Sequence, residues 1–107
     1  GGRFDYGGSD PHTGVDCSGF TRYVMQHAAG ISLNRSSGGQ ASQGVAVSSD
    51  QMKPGDLIFY GNGRSINHVA MYIGNGQIVH SSTYKTGIKV SPWNYRTPVK
   101  IVNVIGE

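Results

Sequence analysis

Cysteine and charge are both scarce in this chain. It has 107 residues with a single cysteine, and charged residues make up only 14% of it. One cysteine excludes a disulfide within the chain and leaves the redox compartment open. No apolar run approaches the roughly 20 residues that a membrane-spanning helix needs. The net charge of +3 is mild and the basic residues are scattered, so no nucleic-acid-binding surface is predicted.

Repeats and internal linkers are also missing, and nothing at the start of the sequence reads as a signal peptide. The hydrophobic content of 36% and the 17 glycines suit a loop-rich globular domain. We therefore predict one domain over residues 1–107. Because the sequence opens abruptly on GGRFDYGG, we expect this domain to be the C-terminal part of a longer protein.

A helix is predicted directly after a loop that is rich in glycine. It begins at Cys17, and its apolar stripe consists of Phe20, Val24 and Ala28, which recur at intervals of four. Gly30 is predicted to end it, since glycine commonly follows the last helical turn. The single cysteine is thereby placed at the N-terminus of the first main helix.

Short β-rich segments dominate the second half of the sequence. Residues 34–44 favour at most a short, weak helix. The predicted strands are 56–60, 67–73, 77–81, 87–90 and 99–105, separated by Gly, Asn or Pro. A helix followed by strands predicts an α+β fold, in which helices pack on one side of an antiparallel sheet of about five or six strands.

The position of Cys17 suits a nucleophile. A thiol is mostly protonated at neutral pH, and a helix N-terminus favours its ionised form through free N–H groups and the helix dipole. The same N–H groups could donate to an oxyanion. A lone cysteine is, however, more often a small buried hydrophobe, so this position alone does not establish chemistry.

Two of the four histidines could supply a base. His68 and His80 flank one tight turn in NHVAMYIGNGQIVHSS. His27 is interpreted as an exposed cation near a helix end, and His12 as peripheral in a loop. A two-residue turn would put the pair on opposite faces of the hairpin. We predict instead a three-residue loop, Gly74-Asn75-Gly76, which pairs residue 70 with 80 and brings both rings to one face within hydrogen-bonding reach.

In this register His68 would take the thiol proton of Cys17 and return it to a leaving amine. His80 would hold the His68 ring in one orientation and tautomer. Two other interpretations stay open from the residues alone. The histidines could be half-buried partners that only satisfy each other, or all three side chains could bind zinc, although their spacing fits no short metal motif.

Five motifs in this order resemble the NlpC family of bacterial cell-wall cysteine peptidases. They are FDYGG at 4–8, DCSGF at 16–20, RSSGGQ at 35–40, MKPGDLIFY at 52–60 and HVAMYIGNGQIVHSS at 68–82. The resemblance implies a papain-like fold and hydrolysis of the bond from γ-D-glutamyl to meso-diaminopimelate or L-lysine in peptidoglycan stem peptides. It maps the nucleophile to Cys17, the base to His68 and the orienting residue to His80, with no cofactor or metal.

The resemblance also implies residues that bind substrate. Asp16, Ser18 and Arg35 match positions that often contact the muropeptide, although a helix cap or a solvated charge would explain them equally well. The sequence departs from the family pattern at Phe4, where a tyrosine is usual. Phe4 cannot donate a hydrogen bond, so we expect Tyr6 to supply the hydroxyl near the cysteine.

Function and context are expectations from this resemblance. The primary prediction is a secreted, monomeric endopeptidase that acts at the cell wall and is fused to a wall-binding or second lytic domain. The alternatives are an amidase or acyltransferase with the same Cys-His machinery, or a module that binds stem peptides without cutting them.

Overall fold

The computed structural model describes residues 17–61, 65–83 and 87–106, with Ser82 and Thr83 described by their backbone only. The helices are α1 (Cys17–Ala29), α2 (Ser37–Ala41) and a single-turn 3-10 helix (Ser49–Gln51). The strands are β1 (Val45–Ala46), β2 (Leu57–Gly61), β3 (Ile66–Gly74), β4 (Gln77–Thr83), β5 (Gly87–Pro92) and β6 (Pro98–Asn103). None of the helices in these ranges is long and apolar enough to span a membrane.

The helix predicted at Cys17 is confirmed, with a difference in its buried side. Gly30 follows it with φ 67°, and its N–H donates to the carbonyl of Gln26 at 3.1 Å, so the glycine ends α1 as expected. Phe20 is buried as predicted, but Ala28 is exposed and Met25 is buried in its place. The apolar stripe therefore ends about one turn earlier, at Met25, because the last turn of α1 is exposed.

All six strands form one antiparallel sheet in the order β1-β6-β2-β3-β4-β5. The five predicted strands are present, although the last one ends at Asn103 rather than at residue 105. The two-residue strand β1 was not predicted from the sequence. It is too short to show an alternation, and its pairing with β6 defines it.

The two faces of the sheet carry separate cores. We call one the helix face, because α1 and α2 pack on it. Its buried cluster is Cys17, Met25, Leu33, Ala41, Leu57, Phe59, Val69, Met71 and Val102. We call the other the loop face, because Val47, Met52 and Trp93 pack on it. Its buried cluster is Ile58, Tyr60, Ala70, Ile78 and Ile101.

The hairpin between β3 and β4 reaches the predicted register by a different route. Met71 pairs with Val79 and Tyr72 with Ile78, as the predicted pairing of 70 with 80 requires. The predicted three-residue loop is wrong, however, because Gly74 pairs with Gln77 and leaves a two-residue turn. Asn75 and Gly76 both have positive φ, 56° and 73°, which is the turn geometry that matches strand twist best.

A β-bulge takes the place of the extra loop residue. The register shifts between Tyr72 and Gly74, so Ile73 is an additional residue in β3. Without it, the two-residue turn would put His80 on the face opposite to His68. Because side chains alternate along a strand, the bulge returns His68 and His80 to the loop face.

Candidate active site

The centre of the candidate site is a direct contact between two imidazoles. His68 lies on β3 and His80 on β4. The distance from Nε2 of His68 to Nδ1 of His80 is 2.7 Å. Their ring centroids are 4.9 Å apart and the rings meet edge to face at 71°. The prediction that the two rings share one face and hydrogen-bond to each other is confirmed.

A serine on the neighbouring strand continues this contact. Nε2 of His80 lies 3.0 Å from Oγ of Ser91 on β5. His80 is 1% exposed and Ser91 is 8% exposed, so bulk water has little access to this end of the chain of hydrogen bonds. We call His68, His80 and Ser91 the histidine chain.

Two tyrosines cover the histidine chain. The Tyr95 ring lies 5.3 Å from those of both Tyr60 and His80, and the Tyr60 ring lies 5.8 Å from that of His68. The Tyr60 hydroxyl donates to the Trp93 carbonyl at 2.5 Å. This contact holds the segment after β5 over the loop face, where the Trp93 side chain packs on the buried cluster.

Arg96 adds a positive charge beside these rings. Its guanidinium carbon lies 5.7 Å from the centroid of the Tyr60 ring, and Nη2 donates to Oδ1 of Asn67 at 3.0 Å. The charge thereby stands next to His68, one residue along β3 from Asn67.

Burial and these charges keep both imidazoles neutral. Burial lowers the pKa of His68 to about 4, with smaller contributions from His80 and Arg96. Burial and Lys89 lower the pKa of His80 to about 4 as well. An ordinary histidine titrates near 6.5. At neutral pH, each ring therefore carries a proton on only one of its two nitrogens.

Cys17 stands at the start of α1, in a turn that buried side chains hold in place. Gln40 of α2 donates from Nε2 to the carbonyls of Ser18 at 3.0 Å and Asn34 at 2.8 Å. Its Oε1 accepts from the hydroxyl of Thr21 at 2.7 Å. These contacts fix the first turn of α1 and thereby the position of the thiol. We call Gln40, Thr21 and the carbonyls of Ser18 and Asn34 the Gln40 clamp.

Tyr95 interacts both with Cys17, electrostatically, and with the ring of His80 in the histidine chain. Cys17 is 8% exposed and packs in the cluster of the helix face, whereas the histidines project from the loop face. Burial raises the pKa of Tyr95, the hydrogen bond and the charge of Arg96 lower it, and an electrostatic contribution from Cys17, the smallest of these, raises it. Cys17 is therefore within electrostatic range of a tyrosine whose ring packs on His80.

The other predicted site residues have different positions. Ser18 is buried in the first turn of α1, and Arg35 is exposed just before α2. Tyr6 and Asp16 lie outside the described residues, as do Phe4 and His12. His27 is exposed near the end of α1 with its ring 4.1 Å from that of Tyr23, so its predicted exposure near a helix end is confirmed.

Sequence reasoning missed Ser91, Tyr95, Arg96 and the role of Gln40. Ser91 lies one residue beyond the strand predicted at 87–90, and its pairing depends on how β4 and β5 align. The motif RSSGGQ did single out Gln40, but only its buried position shows that it clamps α1. Among the described residues, no group of three or more His, Cys, Asp or Glu is arranged to hold a metal ion.

Comparisons with known proteins identify the family of this chain. The model of the NlpC/P60 family matches residues 1–104. The probable endopeptidase p60 of Listeria innocua is 47% identical over 78 residues, which are 73% of this chain and 16% of that protein. The γ-D-glutamyl-L-lysine dipeptidyl-peptidase of Bacillus cereus is 42% identical over 84 residues, 76% of this chain and 25% of that protein. The chain thus spans a quarter or less of these relatives.

A solved structure shares the fold over almost the whole chain. The NlpC/p60 domain of the peptidoglycan hydrolase SagA has a TM-score of 0.78 and 37% sequence identity. The match covers 96% of this chain and 87% of that domain. This likeness confirms the expected papain-like α+β fold.

Proposed function

This chain belongs to the NlpC/P60 family, and from that premise we propose that it is a cysteine peptidase that hydrolyses the stem peptides of peptidoglycan. The observation that carries the proposal is the 2.7 Å contact between His68 and His80. It occupies Nε2 of His68 and leaves Nδ1 as the nitrogen that can take a proton from a thiol. The nucleophile we assign is Cys17, with His68 as base and His80 as the residue that orients it.

The reaction proceeds in two balanced steps. His68 Nδ1 takes the Sγ proton as the sulfur attacks the carbonyl carbon of the scissile bond. The tetrahedral intermediate collapses when His68 returns that proton to the leaving amine, and a thioester remains on Cys17. His68 then takes a proton from water as the water oxygen attacks the thioester carbon. The C–S bond of this second tetrahedral intermediate breaks, the acyl group leaves as a carboxylic acid, and His68 returns the proton to the sulfur.

The bond we propose is the one from γ-D-glutamyl to the diamino acid of the stem, meso-diaminopimelate or L-lysine. The name of the Bacillus cereus relative supports this choice, because it describes a γ-D-glutamyl-L-lysine activity for that protein. Tyr6, Asp16, Ser18 and Arg35 remain the proposed residues for the oxyanion and the substrate. Asp16 would accept from a free stem amine, and Arg35 would pair with a carboxylate.

The cellular context is part of the same proposal. Peptidoglycan lies outside the membrane, so the enzyme would act in the cell wall as a secreted protein. Because the chain covers only 16% and 25% of the two curated relatives, we propose that it is the catalytic domain of a longer polypeptide. A wall-binding or second lytic domain would then be its neighbour.

Incubation of the purified domain with muropeptides tests the activity, with products identified by mass. A new amine on the diamino acid is expected. A freed lactyl group would instead indicate an amidase, and unchanged muropeptides that bind the domain would indicate a binding module. Parallel digestion of walls with lysine and with diaminopimelate stems distinguishes the two substrates.

The assignment of residues has its own test. Cys17→Ala is expected to abolish turnover with an unchanged circular dichroism spectrum. The rate of iodoacetamide alkylation of Cys17 should fall in His68→Ala, since the imidazole would no longer take the thiol proton. Alkylation and hydrolysis at the parent rate in His68→Ala would contradict the pairing of thiol and imidazole.

A further inference from the structure

We propose that Ser91 is a positioning residue that fixes the tautomer of both histidines, and through them the nitrogen of His68 that acts as base. The inference rests on the proposed function for its catalytic meaning. Its structural basis is the 3.0 Å contact between Oγ of Ser91 and Nε2 of His80, on the far side of the ring from His68.

The histidine chain has only two consistent arrangements of protons. In the first, His68 Nε2–H donates to His80 Nδ1, and His80 Nε2–H donates to the oxygen of Ser91. In the second, Ser91 donates to His80 Nε2, and His80 Nδ1–H donates to His68 Nε2. A neutral imidazole carries one proton, so the second arrangement puts a proton on His68 Nδ1.

Only the first arrangement leaves His68 ready to act. Its Nδ1 is then a free acceptor, whereas in the second arrangement that nitrogen already holds a proton. When His68 takes a proton from the thiol, its Nε2–H must still donate to an unprotonated Nδ1 of His80. The His80 proton must therefore lie on Nε2, where the oxygen of Ser91 is the acceptor.

The sheet holds Ser91 in this position. Ser91 pairs with Ile78 on β4, and Lys89 pairs with His80, so Ser91 and His80 are diagonal neighbours on one face. His80 is 1% exposed, and water cannot easily replace a lost hydroxyl at that depth. Removal of the hydroxyl leaves a buried N–H of His80 without an acceptor in the first arrangement, but only an unpaired ring nitrogen in the second. Because a buried N–H without a partner is the less tolerated of the two, the loss shifts the balance away from the active tautomer.

Two substitutions of equal shape test the role of the hydroxyl. Ser91→Thr keeps the oxygen and adds a methyl group, and Ser91→Val replaces that oxygen by a second methyl. We expect kcat on muropeptides to stay within about twofold of the parent in Ser91→Thr. It should fall about fivefold to tenfold in Ser91→Val with KM unchanged, the effect of one buried hydrogen bond. Ser91→Ala provides the same comparison with less crowding if neither larger residue fits the sheet.

A second readout needs no substrate. Nitrogen-15 shifts of the imidazoles at pH 7 report which ring nitrogen is protonated. We expect protonated Nε2 on both histidines in the parent and in Ser91→Thr, and a mixture in Ser91→Val. If the parent cleaves no muropeptide, the proposed function fails, yet these shifts still decide the role of Ser91.

Three results would overturn the inference. The first is protonated Nδ1 on His68 in the parent. The second is a Ser91→Val enzyme, or Ser91→Ala where Val does not fold, with the tautomers and kcat of the parent. The third is an equal loss of kcat in Ser91→Thr and Ser91→Val, since the added bulk rather than the hydroxyl would then explain it.

Discussion

The histidine chain and the Gln40 clamp are both buried networks of polar side chains, but they end differently. In the clamp, Gln40 meets a hydroxyl and two carbonyls within hydrogen-bonding distance, and every bond is between groups that do not titrate near neutral pH. In the histidine chain, Ser91 closes one end, while the other end is a ring nitrogen of His68. The Gln40 clamp can only hold α1 in place, whereas the histidine chain leaves one ring nitrogen that can accept a proton.

Because of this difference, we expect substitutions in the two networks to affect different properties of the protein. A network whose groups are all paired rigidifies the structure, and loss of one member leaves buried partners unsatisfied. Loss of a member of the histidine chain also leaves buried partners unsatisfied, but this network in addition holds the nitrogen that we propose as base. Substitutions in the clamp should therefore affect stability alone, whereas substitutions in the histidine chain should affect catalysis as well.

The largest effect is expected in the histidine chain. His68→Ala should lower kcat on muropeptides by about a thousandfold, because general base catalysis contributes about a hundredfold to ten-thousandfold. His80→Ala should lower it less, since His68 would keep its basic nitrogen but lose its orientation. Steady-state kinetics measures both. Equal kcat in the parent and both variants would remove the catalytic distinction between the two networks.

Substitution of Gln40 in the clamp should lower the free energy of unfolding. Gln40→Met keeps the length of the side chain but removes the donor to two carbonyls and the acceptor nearest to the Thr21 hydroxyl. That hydroxyl keeps only its longer contacts with carbonyls of its own helix, at 3.2 and 3.4 Å. We expect the free energy of unfolding to fall by about 2–3 kcal/mol in urea titrations. Gln43→Met is the matched control, because Gln43 also bonds to backbone groups, of Asn34 and Ser32, but in an exposed setting. Its loss should stay below about 1 kcal/mol, and equal losses would contradict the importance of burial.

The histidine chain should also make folding stability depend on pH. The pKa of each histidine is lowered to about 4 in the folded state, against about 6.5 in an unfolded chain. The unfolded state therefore binds more protons between these values, and stability falls as pH decreases from about 6.5 to about 4. Urea titrations from pH 7.5 to 4 measure this slope. The stability of the double variant His68→Gln/His80→Gln should depend less on pH. A slope identical to that of the parent would contradict the lowered pKa values of the two histidines.

The smallest effect concerns one charge at the edge of the site. Arg96 contributes to the lowered pKa of His68, after burial and His80. Arg96→Gln removes a positive charge and should raise that pKa, which moves the acid limb of kcat/KM to higher pH. Arg96→Lys keeps the charge and serves as the control. An acid limb that moves equally in both variants would point to the hydrogen bond with Asn67 instead.

Local patterns predicted the elements that carry the site, but they did not predict every contact. The helix start at Cys17, its end at Gly30 and the strands of the two histidines were accessible, because periodicity and turn residues act within a few positions. The predicted length of the loop at Asn75 was wrong, but the strand register that it was meant to produce is the observed one. The reason is that a bulge at Ile73, which no local signal marks, supplies the residue that the loop lacks.

The partners at the site depend on residues far apart in sequence. Ser91 contacts His80 only because β5 pairs with β4 in a specific register. Tyr95 reaches the histidine ring because the segment after β5 folds back over the loop face. Neither contact produces a pattern in the sequence around Ser91 or Tyr95 from which it could be predicted.

By itself, the sequence determined that a lone thiol begins a helix, that two imidazoles flank one turn, and that strands follow in an antiparallel α+β order. These features follow from backbone preferences and from the spacing of apolar residues, which are local. Only the tertiary structure decided that the imidazoles meet at 2.7 Å and that Ser91 completes their hydrogen bonds. Strand register, bulges and burial set those contacts, because they depend on how distant segments pack together.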